Sequence, residues 1–213
     1  MLVYYITDRA QFAGNEDQRR RQVVERIRWA ARCGVDFIQL REKDLGGREL
    51  EALAGTAVEA IRGGGHKTRL LINSRTDIAL AAGAAGVHLR AKDISPAEVR
   101  RVWRNAGIES EPTVAVSCHT RQEVVAAESA SADFAVFAPV FEKKSGLRTA
   151  GAGLQALEEA CQQPIPVLAL GGITLANANS CLRAGAKGIA GIRIFQEGNL
   201  EETVLRLKAL ASR

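Results

Sequence analysis

Several short clusters in this chain hold residues that could bind or transform an anion. In Gln39-Leu40-Arg41-Glu42-Lys43, alternate residues of an extended chain face the same way, so Gln39, Arg41 and Lys43 share one face. Two cations aimed into one cavity call for a negatively charged ligand; the competing reading is a solvated charged loop. Asn73-Ser74-Arg75 precedes a helical stretch, and His88-Leu89-Arg90-Ala91-Lys92-Asp93 mixes cations with one carboxylate. Ser117-Cys118-His119-Thr120 supplies hydroxyls and an imidazole, whose ordinary pKa of about 6.5 suits proton shuttling. Gly171-Gly172-Ile173-Thr174 and Gly191-Ile192-Arg193-Ile194 complete the set. Paired glycines and free backbone N–H groups at such positions hold phosphates.

Each cluster stands where a short apolar run ends and a helical stretch begins. The runs are Leu2–Ile6, Phe37–Leu40, Leu70–Ile72, Gly86–Leu89, Val114–Ser117, Phe134–Phe137, Val167–Leu170 and Gly188–Ile192. They are too short and too apolar to alternate, as expected of parallel strands covered on both faces. Helices are expected over Asp17–Arg32, Gly47–Gly63, Thr76–Ala82, Ser95–Asn105, Arg121–Ser129, Leu154–Cys161, Leu175–Ala184 and Leu200–Leu210. Ser95-Pro96 is a helix start and Gly63-Gly64-Gly65 a stop. Eight such units predict an α/β chain folded as a single (β/α)8 TIM barrel over residues 1–213, slightly below the ~250 residues typical of that fold. In such a barrel the chemistry gathers at the strand ends. The longest stretch without a pattern, Glu142–Gly153, bears glycines and lysines and reads as a flap closing over an anion.

Composition narrows the function classes. The chain carries 29 Lys and Arg against 24 Asp and Glu, a net charge of +5, which suits phosphorylated ligands. The densest basic run, Arg19-Arg20-Arg21, falls on a helix and reads as a solvated face, and aromatic content of 5% leaves no basic–aromatic interleaving for nucleic acid. No apolar run approaches the ~18 residues of a membrane span, and Met1-Leu2-Val3 leads straight into a strand, so no signal peptide is expected. Cys33, Cys118, Cys161 and Cys181 show no CxxC and no metal spacing with the histidines. Reduced, packed thiols and a cytoplasmic location are expected. Oligomeric state stays open, a homodimer among the options.

Taken together, Tyr4-x-Ile6-Thr7-Asp8, Gln39-Leu40-Arg41-x-Lys43, Leu71-Ile72-Asn73-x-Arg75-x-Asp77-Ile78-Ala79, Gly86-Val87-His88-Leu89, Ser117-x-His119, Ala138-Pro139-Val140-Phe141 and Ala169-Leu170-Gly171-Gly172-Ile173 resemble the thiamine phosphate synthase superfamily, in order over roughly residues 3–195. The resemblance implies coupling of an aminopyrimidine methyl diphosphate to a thiazole phosphate, with release of pyrophosphate and with Mg2+ as cofactor. It also implies roles. Arg41, Lys43, Asn73 and Ser117 would contact the diphosphate, with Arg75 in the same motif as Asn73, and Gln39 would orient the pyrimidine. Asp93 would be a metal ligand; Gly171, Gly172 and the backbone near Ile192 and Arg193 would hold the thiazole phosphate; Lys143 or Lys144, with Lys144 the choice made here, would be the flap lysine.

Three positions depart from the pattern. Ser74 stands where such synthases carry a second metal-binding Asp, Arg90-Ala91 replaces Gly-Gln, and Arg193-Ile194 replaces a small pair. A neutral hydroxyl is a weak Mg2+ ligand beside a carboxylate. The alternatives are therefore a metal-independent thiazole tautomerase, in which His119 would move the proton, and a phosphate-ligand-binding protein without turnover. His119 occurs in both enzyme branches and does not choose between them.

Overall fold

The computed structural model describes residues 1–142 and 151–210. Parallel strands β1 (Leu2–Ile6), β2 (Phe37–Leu40), β3 (Arg69–Asn73), β4 (Gly86–Leu89), β5 (Thr113–Cys118), β6 (Phe134–Phe137), β7 (Val167–Ala169) and β8 (Gly188–Gly191) pair in chain order, and β8 closes on β1. Between and after them run α1 (Glu16–Arg32), α2 (Gly47–Arg62), α3 (Thr76–Ala81), α4 (Pro96–Asn105), α5 (Arg121–Ser129), α6 (Gly153–Cys161), α7 (Ala178–Arg183), α8 (Arg193–Gln196) and α9 (Leu200–Leu210). This is the expected TIM barrel. No helix among the described residues is long and apolar enough to cross a membrane.

The period of two along each strand divides the core. Val3 and Tyr5 of β1 face the helical ring, while Tyr4 and Ile6 face the barrel interior with Leu71, Ala115, Phe134, Val136, Leu168 and Ala190. Tyr4, Phe37 and Phe134 make an aromatic floor, with ring centroids 6.0 Å (Tyr4–Phe37), 5.6 Å (Tyr4–Phe134) and 4.8 Å (Phe37–Phe134) apart. Edge and tilted contacts of this kind add to the ~1.5–3 kcal/mol that burying each such side chain contributes. Farther along the strands the inward positions turn polar: Gln39 beside Ile6, Asn73 beside His88, and Ser117 beside Val136. The floor thus seals the barrel and leaves a polar layer toward the strand ends.

Local signals set the helix starts. Ser95 and Glu98 close a reciprocal capping box ahead of α4, with Pro96 at its first position, and Asn15 with Gln18 does the same for α1. Elsewhere the boundaries move. β3 and β5 each run one residue farther at both ends than the apolar runs, while β7 stops at Ala169 and β8 at Gly191. The helix expected from Leu175 starts at Ala178, because Asn177 turns back: its Oδ1 accepts from the Thr174 N–H at 2.7 Å and its Nδ2 donates to Gly172 O at 3.0 Å. The one-turn helix α8 and the 3-10 turn Arg9–Gln11 are too short to show a period in sequence.

Candidate active site

The first two strand exits are locked together. Thr7 follows β1; its hydroxyl donates to Glu42 Oε1 at 2.5 Å and accepts from the Arg41 N–H at 3.0 Å. Glu42 also accepts from the Arg9 N–H (3.0 Å) and guanidinium (3.2 Å), and Arg9 extends to both Asp44 oxygens (2.6 and 2.7 Å) and to Glu16 (2.7 Å). Burial pushes the Glu42 carboxyl above its ordinary range even with Thr7 and Arg9 donating to it. Asp44, the nearest exposed carboxylate, does most to hold the Arg9 guanidinium protonated. Removing one partner would strand a buried charge, so this cluster fixes where Arg41 leaves the strand.

His88 is the hub of the polar layer. Its Nε2 lies 2.7 Å from Ser117 Oγ and its Nδ1 lies 2.8 Å from Tyr4 Oη, with the Tyr4 ring stacked beside it. Asn73 is its register partner on β3 and takes a long bond of 3.4 Å from Gln39 Nε2. Burial, helped by the charge of Arg41 and opposed by that of Asp93, pushes the imidazole down to about 3, so the ring is neutral at physiological pH. Asn73 and Ser117 thus stand beside one buried histidine on which the charges of Arg41 and Asp93 act, and Gln39 joins through Asn73. In the sequence His88 stands in a mixed cluster and in the motif Gly86-Val87-His88-Leu89, neither of which gives it a role. An inward strand histidine carries no local sign that distinguishes it from core.

Asp93 lies behind Arg90. The carboxylate accepts the Arg90 N–H at 2.8 Å and the guanidinium at 2.9 and 3.1 Å, its side chain 12% exposed against 70% for Arg90. Burial alone would raise the carboxyl; the Ser74 hydroxyl and then Arg90 outweigh it and hold it below the ordinary carboxylate range. Ser74 has a φ of +59°, and its buried hydroxyl closes no well-formed hydrogen bond among the described residues. Thiamine-phosphate synthases generally use Mg2+. The donors here do not fit a resident Mg2+: they amount to one carboxylate, already neutralised by a guanidinium, and one neutral hydroxyl. Among the described residues no group of three His, Cys, Asp or Glu comes together as a metal site.

Across the rim, Gly171 and Gly172 hold φ at +101° and +63°, and a Cβ on Gly171 would stand 2.7 Å from Pro139. Their own N–H groups meet no acceptor among the described residues, while Gly171 O and Leu170 O accept from Phe141 and Val140 at 3.0 and 2.9 Å. Ile192 precedes α8, which Gln196 ties to the β1 exit through both the N–H and the carbonyl of Asp8. The exposed Arg193 side chain lines a groove of about 390 Å³ with Gln11, Phe12, Gln196 and Glu197. Arg75 is held within its own loop. It grips Asp77 through two bonds of 2.8 and 2.6 Å beside Gly47, at the start of α2. Lys43 is exposed in the turn after β2, and Lys144, with Lys143, lies outside the described residues.

His119 stands exposed at the rim beyond β5. Its Nδ1 is 2.6 Å from Ala138 O; a carbonyl only accepts, so Nδ1 carries the proton and Nε2 is the basic nitrogen of the neutral ring. Burial pushes the neighbouring Cys118 thiol up to about 12, which leaves it a packed side chain rather than a nucleophile.

This geometry has known counterparts. The sequence profile described as thiamine monophosphate synthase matches residues 3–195. The chain belongs to this family. A thiamine-phosphate synthase of Roseiflexus sp. is 38% identical over 89% of this chain and 75% of its own length. One from Methanoculleus marisnigri is 34% identical over 97% and 93%. Among solved structures, a thiamine phosphate pyrophosphorylase from Pyrococcus furiosus superposes with a TM-score of 0.80 at 26% identity, covering 99% of this chain and 95% of that one. Membership in the thiamine monophosphate synthase family carries the enzyme class with it: a transferase of thiamine biosynthesis, acting on small phosphorylated substrates.

Proposed function

We propose that this barrel mouth couples an aminopyrimidine methyl diphosphate to a thiazole phosphate. The C–O bond to the diphosphate breaks first, its electron pair leaving with pyrophosphate, and the thiazole nitrogen then forms the new C–N bond to the pyrimidine-methyl cation. What such a reaction needs from a protein is fixed positive charge and N–H or O–H donors where the leaving group gains charge. The observation that carries the reading is the gathering of Arg41, Asn73 and Ser117 around His88. In this assignment Arg41, Lys43, Asn73 and Ser117 take the diphosphate and Gln39 orients the pyrimidine. The N–H groups of Gly171, Gly172 and the Ile192–Arg193 turn take the thiazole phosphate, and Lys144, outside the described residues, is assigned the role of the family's flap lysine. Arg90 supplies fixed charge beside Asp93, and no step is assigned to a protein-held metal.

The His119 tautomer favours a second reading, proton transfer on the thiazole, because the nitrogen left free is the basic one. One experiment separates the two. The purified protein is incubated with both phosphorylated heterocycles, and thiamine phosphate and pyrophosphate are quantified; the expected result is equal amounts of each. No coupling under any metal condition, together with a thiazole aromatisation that His119→Ala abolishes, would replace the first reading with the second.

A further inference from the structure

Tyr4 is buried completely, and among the described residues its hydroxyl meets one hydrogen-bonding atom, His88 Nδ1 at 2.8 Å. That isolation fixes a direction. If Nδ1 carried the ring proton and donated to Tyr4, the phenol hydrogen would be buried without an acceptor. The phenol must therefore donate, Nδ1 must accept, and the neutral ring must carry its proton on Nε2. That N–H points at Ser117 Oγ, 2.7 Å away. Ser117 thereby accepts one bond through one of its two lone pairs, and no acceptor for its own proton is found among the described residues. Ser117 is half-buried, one layer above the aromatic floor and on the side of the strand ends.

We infer that Tyr4 and His88 are positioning residues: the chain Tyr4 O–H → His88 Nδ1, His88 Nε2–H → Ser117 Oγ commits the Ser117 hydroxyl to donating into the mouth, toward an anionic oxygen. The specificity follows from the direction. Non-bridging diphosphate oxygens accept hydrogen bonds and cannot donate, so the one Ser117 proton left without a protein acceptor matches them. The same arrangement explains why an imidazole lies in a barrel core under cationic groups. It serves as a neutral, one-way link, and a charged ring would break the bond from Tyr4. That the anion is a diphosphate rests on the proposed synthase reading; the direction of the chain does not.

Two measurements test these parts separately. In 15N-histidine-labelled protein without ligand, His88, assigned by the signal lost in His88→Gln, is expected as the neutral tautomer protonated on Nε2 at pH 7. A proton on Nδ1, or an imidazolium, overturns the inference without reference to any substrate. Inorganic pyrophosphate is then titrated by calorimetry. Ser117→Ala and His88→Leu are each expected to weaken binding roughly 10-fold or more, as for a bond to a charged acceptor. His88→Gln, whose amide nitrogen can take the place of Nε2–H, is expected within about three-fold of the wild type. His88→Leu binding as tightly as the wild type, or His88→Gln binding as weakly as His88→Leu, contradicts the inference. If His88→Leu does not fold, the tautomer and the His88→Gln titration still decide it. Wild-type protein with the Nε2–H tautomer and no affinity for pyrophosphate would overturn the diphosphate assignment instead.

Discussion

At the scale of single residues, the account turns on charge that is already paired. Asp93 offers a carboxylate and Ser74 a hydroxyl, but Arg90 holds both Asp93 oxygens from the solvent side. In the proposed coupling, the Arg90 guanidinium is the positive charge beside Asp93 where a divalent ion would otherwise be expected. Mn2+ titrated into the ligand-free protein and followed by electron paramagnetic resonance is therefore expected to show no stoichiometric binding below about 1 mM, the weak end of carboxylate sites. Ser74→Asp combined with Arg90→Gly is expected to gain it. Tight binding by the wild type would show that the donor set was misread. Most of this cluster was legible in the sequence: Gln39, Arg41, Asn73, Asp93 and Ser117 all stand in or just beyond the apolar runs, and the family resemblance implied their roles. Tyr4, His88, Arg9 and Glu42 were not. Their roles depend on partners 29 to 84 residues away, which no local pattern encodes.

At the scale of elements, the rim loops are held by backbone conformations that only certain residues tolerate. Gly171 combines a φ of +101° with a Cβ position 2.7 Å from Pro139, so the β7 exit and the β6 loop fit together only if residue 171 has no side chain. Gly171→Ala is expected to cost about 1–3 kcal/mol through strain at a site the surroundings over-determine, read as a lower Tm. Gly55, inside α2 with nothing within 4 Å of a Cβ, is the control: Gly55→Ala is expected to raise Tm, since alanine gains about 0.5–1 kcal/mol over glycine in a helix. A Gly171→Ala protein as stable as the wild type would remove the claim that the glycine is structurally required. Element order was readable because each strand is a short apolar run followed by a helical stretch. The exceptions have local causes. Asn177 folds back on Gly172 and delays α7, and α8 spans a single turn.

At the scale of the molecule, eight strands convert sequence-distant clusters into one surface, above a floor of Tyr4, Phe37 and Phe134 that closes the barrel to through-passage. Closure also sorts the cations. The charge of Arg41 acts on the buried histidine, whereas Arg75 is spent on Asp77 and Arg193 lies exposed beside Gln11 and Phe12. The spacing of residues in the sequence treats these arginines alike, because it shows the strand end but not the turn the chain takes after Ser74 or Ile192. Of these three arginines, Arg41 is the one whose charge is expected to matter to the chemistry.

The rate of thiamine phosphate formation in Arg41→Ala, set against Arg75→Ala, tests that claim most directly. The account predicts a fall in kcat of about 10²–10³-fold for Arg41→Ala, the scale of losing one preorganised charge at a developing anion, and a rate within about two-fold of the wild type for Arg75→Ala, as for an exposed ion pair. Equal losses in the two variants, or an unimpaired Arg41→Ala, would contradict it.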